Sequence, residues 1–132
     1  MSEPNQKDAE LMIQLYTINH SPEMRKTWNW VLELEEQEYE DFIKKNPIGS
    51  EGWNNFLSIA GFYEMVGVLV KYGTINEDIV LDFSSLVWNK LGPLVEGFQK
   101  ERKSPRFFEN YEYLAKKKAE WVKTHPAGYK MQ

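Results

Sequence analysis

WNNFLSIAGFYEMVGVLVKYG, from Trp53 to Gly73, is the stretch on which the fold turns. At about 100° per residue, Phe56, Ile59, Phe62, Tyr63, Val66, Leu69 and Val70 cover well over half of a helical wheel. That is the pattern of a helix with neighbours on several sides, so the segment is predicted to be the buried axis of a bundle. A narrow strip is left for Asn54, Ser58, Gly61, Glu64 and Lys71, where Ala60, Gly61 and Gly67 leave room for a crossing helix. One carboxylate, Glu64, stands in that small-residue track. No catalytic motif surrounds it, and the sequence leaves the activity open.

On the N-terminal side, Leu11, Met12, Leu15, Tyr16 and Ile18 repeat at helical spacing between Lys7 and Asn19. Ser21 and Pro22 then form a start signal, a capping hydroxyl followed by a residue suited to the first helical position. A second helix is predicted from Pro22 to about Lys45, with Met24, Trp28, Val31, Leu32, Tyr39, Phe42 and Ile43 on one stripe. Asn46 to Ser50 break the pattern by their turn chemistry, and Gly73 ends the central helix. From Thr74 to Asn76 onward a single helix is predicted through Phe98, kinked at Pro93, where the amide facing the Asn89 carbonyl is missing. Ser104 and Pro105 repeat the start signal and open a last helix to about Lys123, with Phe107, Tyr111, Leu114, Ala115, Trp121 and Val122 inward. No strand alternation and no internal repeat is present.

The chain has 132 residues, 42% of them hydrophobic and 27% charged, and a formal net charge of −4. It is one domain's worth, residues 1–132, with 1–6 and 124–132 expected to fray. The lack of cysteine excludes disulfides, thiolate metal sites and cysteine nucleophiles, and fits the cytoplasm. The polar, acidic N-terminus is unlike a signal peptide, and the run from Ile59 to Val70 is too short to span a bilayer, so no membrane association is expected. The N-terminal half is acidic and the C-terminal half basic. Lys116, Lys117 and Lys118 diverge around a helix, however, and cannot form one flat patch for nucleic acid. Lys118 should snorkel along the apolar stripe.

Metal carboxylate chemistry in a bundle needs Glu-x-x-His pairs, and neither His20 nor His125 has such a glutamate. No phosphate-binding glycine loop or nucleophile elbow occurs. No catalytic, cofactor or metal residues are therefore assigned. Two groups of candidates remain. In the continuous second helix, Glu35 falls about 20° from the centre of the apolar stripe. With Glu64 and Glu112 it forms a set of carboxylates expected to be partly buried and paired with Arg102 or Arg25 between helices. Trp30 and Leu34 lie away from the main stripe, where they would make a binding or self-association patch if exposed.

With these residues in view, the chain resembles a bacterial and phage family of helical proteins catalogued as domain of unknown function 4760. The likeness rests on IxHSPEMRKTW from Ile18 to Trp28, FYExxGxLVxxGxINED from Phe62 to Asp78, WNKLGPLVEGFQKER from Trp88 to Arg102, and YEYLA from Tyr111 to Ala115. Glu64, Gly73, Trp88, Pro93, Arg102, Tyr111 and Glu112 occupy positions of the family pattern. Many similar proteins carry a membrane-spanning segment ahead of this region; none is expected here. The resemblance implies a helical fold and is silent as to activity.

The expectation is thus an all-α, single-domain bundle of about five helices with a central buried helix. As to function, it is a non-enzymatic interaction or scaffold module with a protein partner or a second copy of itself. The competing class is a small-ligand site or enzyme using Glu35 or Glu64 as general acid or base.

Overall fold

Ser50 and Gly73 bracket the central helix as expected. The Ser50 hydroxyl accepts from the Trp53 amide at 3.2 Å, and Gly73, at φ 71°, supplies the left-handed residue that lets the Thr74 amide fold back onto the Leu69 carbonyl. The computed structural model describes residues 3–128 and 130 and places seven α-helices, and no strand, among them. They are α1 (Gln6–Asn19), α2 (Pro22–Glu33), α3 (Tyr39–Lys45), α4 (Glu51–Lys71), α5 (Glu77–Phe83), α6 (Trp88–Glu101) and α7 (Glu109–Thr124).

α4 is the axis. Phe56, Ile59, Ala60, Tyr63, Val66 and Val70 are all buried, and α7 and α2 lie along it. Gly67 decides how close α7 can come, because a Cβ there would overlap the Asn110 backbone carbonyl. Gly61, by contrast, faces open space. A second close approach seats α3 on α6, where a Cβ at Gly97 would strike the Tyr39 ring.

The helix count differs from five because two predicted helices are divided. The second stops at Glu33 and resumes at Tyr39. Lys90, arriving from α6, donates to the carbonyls of Val31 and Leu32 at 3.0 and 2.9 Å and so supplies an end that the local sequence lacks. The Asn89 amide meanwhile holds the Glu36 carboxylate at 3.0 Å. The fourth predicted helix, expected to be continuous with a kink at Pro93, is interrupted at Ser84–Val87. There Lys118 donates to the Leu81 carbonyl and the Tyr111 hydroxyl to that of Leu86, again from another helix. α6 runs through Pro93; the proline removes one bond to Asn89, a residue left exposed to water.

The last helix begins at Glu109, four residues beyond the expected serine-proline start. The residues between form turns, because Gln99 holds the Phe107 carbonyl at 2.8 Å while Phe107 stacks on Phe98 at 4.0 Å. At the chain ends, the expected fraying of residues 1, 2, 129, 131 and 132 lies outside the described residues. Within them, Asn5 and Asp8 close a capping box on α1 and His125 stacks on Trp121 at 4.1 Å.

α6 ends as α4 does, with the Ser104 amide on the Gln99 carbonyl at 2.9 Å, but its left-handed residue is the exposed Lys103 at φ 52°. Lys103→Gly should therefore stabilise the chain by about 0.5–1 kcal/mol, since glycine adopts that conformation without the Cβ penalty. An unchanged or lower urea midpoint would show the end of α6 to be unstrained.

Candidate functional site

Four helices leave a half-open groove of about 510 Å³ between them. Its floor comes from the central axis and its neighbours: Leu15 of α1, Tyr63 and Val66 of α4 and Val80 of α5, all buried. Trp28 of α2 forms one wall, fixed at both ends. Its indole N–H donates to Asn19 Oδ1 at 2.8 Å, and its ring meets Tyr63 edge-on at 6.2 Å. The opposite rim is aromatic and wet. Tyr16 stacks on His20 at 3.9 Å and tilts against Phe83 at 6.0 Å, with Tyr16 49% and Phe83 60% exposed. Phe83 is the last residue of α5 and faces solvent.

The polar groups of the groove are Asn19, His20, Arg25, Asn29, Ser84 and Ser85. None of its lining residues is acidic. His20 uses Nδ1 on the Tyr16 carbonyl at 2.9 Å, and no hydrogen bond joins it to either serine among the described residues. What the groove offers is shape, aromatic surface and a guanidinium. It holds no assembled nucleophile and base.

Behind the floor runs a chain of packed rings, Tyr63 and Tyr111 buried and Trp88 half-buried. Tyr63 stacks on Tyr111 at 5.4 Å, and Trp88 meets Tyr111 edge-on at 4.8 Å. Burial pushes the Tyr63 phenol up to about 12 and raises Tyr111 well above the ordinary range, Tyr63 adding to the latter.

The predicted carboxylate and arginine network is not what the structure contains. Glu64, half-buried, accepts from the backbone amides of Asn110 and Tyr111 at 2.9 and 3.0 Å through Oε1, and from Asn110 Nδ2 at 2.7 Å through Oε2. It caps α7 from another helix. Arg102 is exposed and lies over the Phe98 ring at 5.8 Å, and Glu35 is exposed on the extended link between α2 and α3. The predicted stripe placed Glu35 inward only while α2 was continuous. Glu112, half-buried, meets Gln99 Nε2 at 3.4 Å and Lys116 at 3.6 Å. Arg25 is exposed at the groove and forms no ion pair among the described residues. These five residues are thus dispersed; Glu64 joins α4 to α7 and Glu112 joins α7 to α6, each without an arginine.

Trp30 and Leu34 are half-buried against the core rather than exposed, Trp30 meeting Phe42 of α3 edge-on at 6.2 Å. The buried Tyr39 ring sits against α6 at Gly97; burial and the adjacent Glu101 raise the pKa of its hydroxyl, and the nearby Arg102 opposes them. No three of His, Cys, Asp and Glu stand close enough to hold a metal ion among the described residues, and no helix there is long and apolar enough to cross a membrane.

Fold and site together define an all-α domain with an acid-free aromatic groove. The chain belongs to the family described as Domain of unknown function (DUF4760), whose model matches residues 6–121. No curated protein and no solved structure matches it.

Glu64→Ala should cost about 2–3 kcal/mol by leaving helix-end amides unpaired, with Glu64→Gln losing less because one oxygen still accepts from both. A urea midpoint for Glu64→Ala equal to the parent's would show that the cap contributes nothing. For the tyrosines, a pKa raised on folding gives stability that is complete below pH 10 and is lost as pH climbs toward about 12. Phenolate absorbance from Tyr63 and Tyr111 is expected only together with loss of near-ultraviolet circular dichroism; ordinary titration near pH 10 in the folded chain would contradict their burial.

Proposed function

We propose that the protein is a non-catalytic interaction module that seats an apolar segment of another protein in the groove between α1, α2, α4 and α5. The observation that carries this reading is the groove itself: buried apolar floor, aromatic rim held partly in water, no carboxylate among its lining residues. Grooves of this kind take the apolar anchors of a partner's helix or extended segment. The acid–base alternative draws no support from the same geometry. Glu64 is committed to the amides of α7, and Glu35 stands on an exposed link, so neither lines the groove. Trp30 and Leu34 are a lesser candidate for contact because each already packs on the core. The cysteine-free composition supports a cytoplasmic setting.

Selection of randomised displayed peptides on the intact chain tests the reading. Peptides anchored by Leu, Phe, Met or Trp are expected to be enriched, and to lose at least about tenfold in affinity on the surface variant Tyr16→Lys/Phe83→Lys. The two side chains are largely exposed, so that variant should melt with the parent. No enrichment, or equal binding to parent and variant, would overturn the proposal.

A further inference from the structure

We infer that the segment taken by the groove is acidic, carrying a carboxylate beside its apolar anchor that is received by Arg25. This rests on the docking reading and adds the chemistry of the partner. Charge complementarity carries it. The chain has 20 acidic residues and a net charge of −4, yet not one of those acids lines the groove. Its single permanent cation, Arg25, is exposed at the wall formed by α2 and has no ion-pair partner among the described residues.

A guanidinium beside an apolar floor recognises a carboxylate by a paired, planar set of hydrogen bonds. The low-dielectric walls of Trp28 and Tyr63 strengthen that contact relative to open water. Asn29 and His20 add side-chain donors or acceptors at the same mouth. A basic partner would meet Arg25 with like charge and gain no compensating carboxylate from the groove.

The test compares peptides selected on the parent with those selected on Arg25→Glu, a surface substitution whose fold is checked by its melting curve. On the parent, Asp or Glu is expected within one helical turn of the anchor, and binding should weaken as salt is raised. Transfer of those peptides to Arg25→Glu should cost at least about tenfold in affinity, and selection on the variant should favour Lys or Arg instead. Enriched apolar peptides with no acidic bias, or acidic peptides indifferent to Arg25→Glu, would overturn this inference while leaving the docking reading intact. Absence of any groove-dependent peptide would overturn both.

Discussion

The bundle depends on how its buried helix ends are satisfied. A helix leaves its first amides and last carbonyls without internal partners, and in a packed interior those groups need protein in place of water. Here they find side chains sent from other helices. Glu64 of α4 takes two amides of α7, and the Asp8 carboxylate, buried in α1, takes the Asn76 amide at the start of α5 at 2.8 Å. Lys90 and Lys118 close α2 and α5 at their carbonyl ends. Acids meet amino ends and bases meet carbonyl ends, the sense that the helix dipole favours. Each bond both ends one helix and fixes its position against another.

Desolvation of Lys118 follows directly from that duty. Its ammonium reaches the Leu81 carbonyl beside the Trp121 ring, and burial lowers its pKa while Asp82 opposes the shift. The neighbouring Lys117 remains nearer the surface and pairs with Glu77 at 3.0 Å, which raises its own. Together with the bond from the Trp121 indole to Asp78 at 3.0 Å, these contacts tie the short α5 to the far half of α7. α5 has only seven residues, too few to be stable alone, and owes its place to these attachments.

The groove is a consequence of the same devices. α5 ends at Phe83, whose ring is exposed at the rim, and the link that follows places Ser84 and Ser85 in the lining. The rest of the site follows from the axis, because Tyr63 and Val66 present their faces both to the floor of the groove and to the core. Ring contacts through Trp28, Tyr63, Tyr111 and Trp88 tie that floor into the packed core. The rim, with Tyr16 and Phe83 in water, is the adaptable part.

The sequence by itself determined the helical class, the central position of α4, the ends marked by Ser50 and Gly73, and the inward course of Lys118. All of these rest on local periodicity or on the conformational needs of single residues. It also singled out Glu64, though with the wrong partner: a wheel shows that a carboxylate faces a neighbour, and cannot show that the neighbour offers backbone amides instead of a guanidinium. Only the tertiary structure decided where α2 and α5 stop, because the groups that end them, Lys90 and Lys118, lie about 58 and 37 residues further along the chain. Glu35 is exposed because α2 stops at Glu33, and Ser84 and Ser85 reach the groove because α5 stops at Phe83.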